Sequence, residues 1–306
     1  MRVIPPLTIT DTLLTSSNAT EPGPGESAWD AATNYAVDAV VARATTHRLY
    51  TCLAAGVDAT LPENALTGVT SRWLDSGPTN QWAMFDTGRN TATTLASPLT
   101  VVITPGKRLN SLALMGLVAD VATVTVTVAG LVVFTRTVNL VLRNTATWSG
   151  YFFGEFTSQS SLVMFDLPPY VGGVITVTLS RASSDVSCGA LVVGNSIYLG
   201  GVQYNAVDGA LNFSTIERDT FGNAKLIPRR TVPKTDQTLW AEKTLVNTLR
   251  DVRKTLNAVP ALWSGLDDLN SDDYFDSLLI LGIYKEFSIN LAHPTVAIVT
   301  LQLEEI

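Results

Sequence analysis

Residues 121–138 have the sequence VATVTVTVAGLVVFTRTV, two runs of mostly β-branched residues joined by Ala129 and Gly130. β-branched residues favour strands, and alternation of apolar with polar residues is typical of a strand with one buried face. A third run of this kind extends from Val174 to Leu179. Such strands at short spacing, broken by Gly, Pro and Asn, predict a mainly β fold with a β-sandwich over residues 86–199.

The first part of the chain, residues 1–85, differs because Pro and Gly interrupt it often. Two short stretches, Ala39 to Val41 and Arg48 to Cys52, have strand-like composition between these breaks. Because Gly and Pro mark turns, the pattern predicts a small, loop-rich β module.

The last part, residues 200–306, contains the one clear helical pattern. Apolar residues from Thr238 to Leu256 fall near helical spacing, and basic residues lie toward the C-terminal end. The pattern predicts an α+β region with one long amphipathic helix at about 237–257, capped by Thr235 or Asp236 and stopped by Pro260. Three strand-like stretches follow: Leu278–Ile283, Glu286–Leu291 and Thr295–Leu303. The simplest arrangement places the helix on one face of an antiparallel sheet.

Composition limits the classes of function. The 306 residues are 46% apolar and only 15% charged, so we expect a globular chain with surface that partners cover. With a net charge of −7, the chain lacks the basic surface that a protein needs to neutralise phosphates. Nucleic acid and anionic membranes are therefore disfavoured as partners. Two β-branched strands, Val121–Val128 and Val296–Leu303, are candidates either for sheet edges that pair with a partner or for ordinary interior strands.

No targeting or membrane segment is expected. Residues 1–7 lack the apolar core of a signal peptide, and the longest apolar runs are far shorter than the roughly 20 residues of a membrane helix. The two cysteines, Cys52 and Cys188, are far apart in sequence. We therefore expect reduced thiols that behave as small buried hydrophobic side chains.

Residue types that carry catalysis are scarce, so we predict a protein without enzymatic chemistry, cofactor or metal. The two histidines, His47 and His293, are too few for a multi-histidine zinc site, and both are expected in exposed loops. The acidic stretch from Asp267 to Asp276 resembles a calcium loop only partly, because Asp273 stands where an EF-hand needs glycine. A solvated loop is the favoured interpretation of that stretch, and the Asp219–Asn223 segment is interpreted as a turn.

Two family resemblances add to these inferences. Aromatic and other apolar residues over about Ala28 to Leu74 are similar in order and spacing to the small chitin-binding type of carbohydrate-binding module. The residues that carry this resemblance are Trp29, Tyr35, Val40, Tyr50, Pro62 and Trp73. The resemblance implies that Trp29, Tyr35, Tyr50 and Trp73 either form the core of the module or stack on sugar rings. The chain departs from the family at Val37, where a glycine is usual, and it lacks the extra tryptophan after the second tyrosine strand.

The second resemblance covers most of the chain. Residues 73–86, WLDSGPTNQWAMFD, follow such a module and precede the predicted sandwich, and this order resembles tail-tip and baseplate proteins of tailed bacteriophages and prophages. The segments Asn212–Ser214 and Asp219–Asn223, the predicted helix and the final strand ending at Glu304 are also similar to those proteins. No residue roles transfer from this resemblance.

The second resemblance implies a structural component of a phage virion, assembled in the bacterial host cytoplasm and acting in host attachment. Its partners would be other tail proteins and copies of itself in a homo-oligomer, since low charge and abundant Thr and Val suit surface buried on assembly. Two alternatives stay open: a glycan-binding receptor or adhesion protein that uses the N-terminal aromatic module, and a polysaccharide hydrolase.

Overall fold

The structure is a computed structural model that describes residues 1–57, 59–67, 71–88, 90–143, 147–204, 206–265, 276–291 and 293–306. The fold is mainly β, with 49% strand and 9% helix, which confirms the predicted class. The strands up to residue 128 are β1 (Arg2–Ile4), β2 (Leu14–Ser17), β3 (Ser27–Ala28), β4 (Asn34–Tyr35), β5 (Val40–Arg43), β6 (Arg48–Cys52), β7 (Gly56–Val57), β8 (Trp73–Pro78), β9 (Thr93–Ala96), β10 (Leu99–Ile103), β11 (Ser111–Met115) and β12 (Val121–Val128).

The later elements include the two α-helices. They are β13 (Leu131–Asn139), β14 (Val141–Leu142), α1 (Trp148–Phe153), β15 (Thr157–Ser158), β16 (Ser161–Met164), β17 (Gly173–Ser180), β18 (Asp185–Cys188), β19 (Ala190–Gly194), β20 (Ile197–Tyr198), β21 (Gly201–Val202), β22 (Val207–Asn212), β23 (Thr215–Arg218), β24 (Ala224–Ile227), β25 (Thr231–Glu242), α2 (Val246–Thr255), β26 (Ala261–Ser264), β27 (Leu279–Asn290) and β28 (Val296–Glu305). Single 3-10 turns occupy Pro62–Asn64, Ala83–Phe85, Lys243–Leu245 and Asp276–Leu278.

Two sheets pack over one core in the middle of the sequence. The outer sheet has the strand order β13-β12-β17-β10-β2, and the middle sheet has the order β16-β11-β19. In β12 and β17 every second residue points into the core, so Ala122, Val124, Val126, Ile175, Val177 and Leu179 are buried while the Thr residues between them are half-buried. This is the burial that the alternating sequence predicts.

The middle sheet is buried on both faces, as all five residues of β11 and all five of β19 show. One face shares the core of the outer sheet, and the other packs on a large sheet of order β20-β1-β26-β27-β28-β25-β21, with β22 also paired to β25. Helix α2 covers the far face of the large sheet through Leu249, Val252 and Leu256. The layers therefore follow one another as outer sheet, middle sheet, large sheet and helix.

The N-terminal segment contributes to several sheets. Strand β1 lies between β20 and β26 in the large sheet, and β2 pairs with β10 at one edge of the outer sheet. The small module itself is a four-stranded sheet of order β3-β5-β6-β8 with the short β4–β7 pair beside it. The predicted first block, residues 1–85, therefore does not correspond to one set of paired strands.

The predicted helix at 237–257 is wrong over its first turns. Strand β25 continues to Glu242, and the helix α2 begins only at Val246, with Leu245 at its N-cap. The proposed caps Thr235 and Asp236 lie inside β25, where they pair with β28. The residues favour a strand there because β25 gains a ladder on each side, and that tertiary pairing outweighs a local helical pattern.

The strands predicted after the helix lie at the right places but are divided differently, and β26 was not predicted. Two of the predicted stretches form the single strand β27, which has a register shift between Tyr284 and Glu286. Both candidate edge strands, β12 and β28, are interior. The two edges of the outer sheet are instead β13 and β2.

Candidate interaction surfaces

Three of the four predicted ring residues of the module form its core. Tyr35, Tyr50 and Trp73 are exposed by 8%, 2% and 1%. The rings of Tyr35 and Trp73 meet edge to face with centroids 5.4 Å apart, a geometry that aromatic pairs prefer. These rings pack on one another and leave little surface for a sugar to stack on.

The fourth ring, Trp29, is half-buried at the edge of this core. The Arg43 guanidinium lies 4.9 Å from the centre of the Trp29 ring, and Arg43 also forms an ion pair of 3.0 Å with Glu63. Burial acts to raise the pKa of Glu63, but the hydrogen bond and charge of Arg43 outweigh it and leave that pKa below its usual range. One face of Trp29 is therefore covered by a cation that a carboxylate holds in place.

A buried carboxylate joins the module to the outer sheet. Glu21 accepts hydrogen bonds from the Thr79 hydroxyl at 2.6 Å and from the Trp82 indole N–H at 3.1 Å. His47 Nδ1 lies 2.8 Å from the same carboxylate, and the imidazole stacks on Trp82 with ring centroids 3.9 Å apart. The expectation of an exposed loop histidine is therefore wrong for His47, because its turn packs against the sandwich; His293 is exposed.

The rest of the 73–86 segment continues this junction. The Asn80 side chain accepts a hydrogen bond from the Thr94 amide and donates one to the Thr94 carbonyl, both at 2.9 Å. It therefore makes the two hydrogen bonds that a backbone partner makes in a strand pair. Met84 is buried in the core of the outer sheet. Burial raises the pKa of the Asp86 carboxyl above its ordinary value, although the Thr91 hydroxyl donates to it and acts in the opposite direction. The motif that carries the phage resemblance therefore has a structural use.

The cysteines and the side chains that commonly bind metals are the other residues with potential chemistry. Cys52 and Cys188 are free and buried, and burial raises the pKa of the Cys188 thiol to about 12. Among the described residues there is no group of three or more His, Cys, Asp or Glu side chains placed to hold a metal ion. No helix in those residues is long and apolar enough to span a membrane. The acidic stretch from Asp267 lies almost wholly outside the described residues.

A shallow groove of about 700 Å³ runs beside α2 and is lined mainly by polar side chains. Arg250 and Lys254 supply positive charge there, and Asp251 offsets part of it. The Tyr284 hydroxyl donates to the carbonyl of Arg253 at 2.6 Å and so satisfies one of the free carbonyls at the end of the helix. Tyr284 thus stabilises the end of α2.

A short helix carries the densest exposed aromatic surface. Five of the nine residues from Trp148 to Phe156 are aromatic, and we call residues 147–156 the aromatic tip. The side chains of Trp148 and Phe153 are exposed by 81% and 87%. Thr147 caps the helix by accepting from the Gly150 amide at 2.9 Å, and Arg143 lies over the rings of Tyr151 and Phe156. The aromatic tip lies between the paired strands β14 and β15 in the sequence.

A second exposed surface is the hairpin β23–β24 with its turn, residues 213–229, which we call the arm. Seven of the eight strand residues are exposed and the eighth is half-buried. The exposed fractions of Ile216, Phe221 and Leu226 are 61%, 89% and 70%. A large exposed apolar surface on a soluble protein marks an interaction site.

These two surfaces were not predicted as sites. The density of aromatic residues at 148–156 is a signal that the sequence carries, and the stretch could have been singled out on that ground. The arm has no such signal, because its exposure follows from the absence of a core beneath the hairpin. Comparison of the chain with protein-family models, with curated proteins and with solved structures found no match.

Proposed function

We propose that this chain is a non-enzymatic structural component of a bacteriophage tail tip or baseplate, which acts through oligomeric protein–protein interfaces. It would be assembled in the bacterial cytoplasm and retained in the virion, with other tail proteins and copies of itself as partners. The resemblance of the 73–86 segment and of the C-terminal stretches to tail proteins suggests this setting.

The aromatic tip is the observation that carries the proposal. A monomer that exposes Trp148, Phe152 and Phe153 on one small helix leaves a contiguous apolar surface in water, which is unfavourable by about 25 cal/mol for each Å². Trp, Tyr and Phe are the residues most enriched in protein interfaces. A neighbouring tail protein that covers the aromatic tip would gain this free energy on assembly.

Glycan binding through the N-terminal module is the less favoured function. Its supporting observation is that Trp29 is only half-buried, and its weakness is that Tyr35, Tyr50 and Trp73 are core residues. Binding of immobilised host glycans at millimolar sugar, abolished by Trp29→Ala in a chain that stays folded, would favour this alternative.

The protein composition of purified tailed phage particles tests the proposed structural role of the chain. We expect quantitative mass spectrometry of particles from bacteria that carry the gene to detect the chain in several copies per tail. The variant Trp148→Ser/Phe153→Ser should be depleted from particles, whereas Leu74→Ser, which changes an exposed apolar residue of the module, should be incorporated normally. A chain that is abundant in the lysate and absent from particles would refute the proposal.

A further inference from the structure

The arm has two chemically different faces. Cross-strand pairs place Ile216 opposite Leu226 on one face, and Glu217 opposite Lys225 on the other. The charged face suits water, since opposite charges directly across a hairpin are stabilising. The apolar face packs on no core, because both residues remain more than half exposed. An isolated two-stranded hairpin is only marginally stable in water, so this element gains most from a partner.

The turn of the arm is fixed before any partner binds. Asp219 accepts hydrogen bonds from the amides of Phe221 and Asn223 at 2.9 and 2.8 Å and from the Asn223 side chain at 2.8 Å. The carbonyl of Asp219 also accepts from the Gly222 amide at 3.0 Å. This network holds Phe221 at the apex with 89% of its surface exposed. A preorganised turn of this kind loses little backbone conformational entropy on binding, and an aromatic residue at its apex is typical of an interface anchor.

The same chain provides a surface that suits the arm. Strand β13 forms one edge of the outer sheet, and among the described residues no strand pairs with its outer side. Its first residues, Leu131, Val132 and Val133, are exposed by 72%, 64% and 42%. An open edge with apolar side chains favours the addition of another strand, and both strands of the arm also have open edges.

The charge of the arm favours a copy of this acidic chain, rather than a basic protein, as the partner of the arm. The arm carries Arg218, Lys225 and Arg229 against Glu217 and Asp219, a small basic excess in a chain of net charge −7. Contact between this locally basic arm and the acidic body of another copy lowers the repulsion between like-charged chains.

We propose that the arm of one copy docks on the β13 edge of a second copy, with Phe221 as the anchor and the Ile216–Leu226 face against the Leu131–Val133 end. The contact joins two different surfaces, so it is head-to-tail, and repetition of it closes a ring or extends a filament. This inference rests on the proposed structural role, because it assigns one of the interfaces through which that role would be performed.

Light scattering of the purified chain over a range of concentrations tests the association. We expect oligomers for the natural sequence, and a rise of the dissociation constant by about tenfold or more for Phe221→Ser, because an exposed anchor is replaced without loss of folding. Leu74→Ser, which changes an exposed apolar residue of the N-terminal module, is the control and should associate normally.

Cross-linking tests the pair of surfaces. Because Cys52 and Cys188 are buried, a short bismaleimide should react only with introduced cysteines. A mixture of Leu226→Cys and Val132→Cys chains should give a covalent dimer, which each variant alone and a mixture of Leu226→Cys with Leu74→Cys should not give.

The outcomes separate this inference from the proposed function. A monomer at all concentrations, or oligomers that Phe221→Ser leaves intact and that show no Leu226–Val132 cross-link, would overturn the docking of the arm. Presence of the chain in purified tails would at the same time leave the structural role standing. Absence from tails combined with a specific cross-link would instead refute the tail role and keep the self-association.

Discussion

The buried ring of Trp73 stabilises the N-terminal module. Its side chain is 1% exposed and contacts the rings and aliphatic groups of the module core. We expect Trp73→Ala to lower the free energy of unfolding of the module by about 3–5 kcal/mol, since a large buried aromatic leaves a cavity. Trp73→Phe should cost less, because the indole N–H is buried with no acceptor among the described residues, and its loss removes that penalty.

Hydrogen exchange of amides in β5, β6 and β8 measures the effect of these changes. Leu74→Ala is the control, because this neighbour is 54% exposed, and its effect should stay within about 0.5 kcal/mol. Equal protection in Trp73→Ala and Leu74→Ala would contradict the assignment of Trp73 to the core. The sequence singled out these rings but left core and sugar-binding roles open, because the order of aromatic residues does not specify which side of a strand faces solvent.

The carboxylate of Asp219 gives the arm a pH dependence. Hydrogen bonds from the Asn223 side chain and backbone lower the pKa of Asp219 below its ordinary value of 3.8. A lowered pKa stabilises the folded turn above the ordinary pKa, and this contribution is lost as the pH falls through the folded pKa. We expect the amide resonances of Phe221 and Asn223 in nuclear magnetic resonance spectra to titrate with a midpoint below pH 3.8. In Asp219→Asn these shifts should disappear, and a natural-sequence midpoint above 3.8 would contradict the hydrogen-bonded turn.

At the scale of elements, close approach of backbones fixes how β19 meets the N-terminal segment. A Cβ atom added at Gly194 would clash with the carbonyl oxygen of Pro5 and would lie 2.7 Å from a methyl group of Ile4. Because a backbone atom cannot move aside cheaply, we expect Gly194→Ala to lower the free energy of unfolding by about 1–3 kcal/mol. Gly201→Ala is the matched control, since this strand glycine has no atom within 4 Å of the added Cβ. Chemical denaturation compares the two variants, and equal midpoints would show that the segment does not pack on β19 as described.

The elements also show where prediction from sequence succeeds. Strands β12 and β17 were predicted because a regular Val/Thr alternation matches their burial. Strand β25 was predicted as the start of a helix, since its buried inward positions include the polar residues Thr235 and Gln237, which bond to each other and hide the period of two. Trp240 is exposed while its neighbours Leu239 and Ala241 are buried, and this alternation is typical of a strand. Local periodicity therefore fails where a buried polar pair replaces apolar residues.

At the scale of the whole molecule, the order of the layers depends on contacts far apart in sequence. Strand β1 completes a sheet made mostly of residues after position 196, and no local pattern near the N-terminus indicates this. Ile4 is fully buried between that large sheet and the middle sheet, among residues of β11, β16, β19, β26 and β27. One side chain therefore couples layers that the sequence suggested as separate blocks.

Ile4→Ala tests this coupling. Removal of the buried side chain should cost about 2–5 kcal/mol, and because both sheets contribute to the cavity, amide hydrogen exchange should accelerate in β11 and β19 as well as in β26 and β27. The module has its own core around Tyr50 and should keep its protection. The reciprocal variant, Val41→Ala in the module, should accelerate exchange in β5 and β6 and leave the layered sheets unchanged. Acceleration confined to the large sheet in Ile4→Ala would show that the middle sheet is stable without it, and the layers would then be separate folding units.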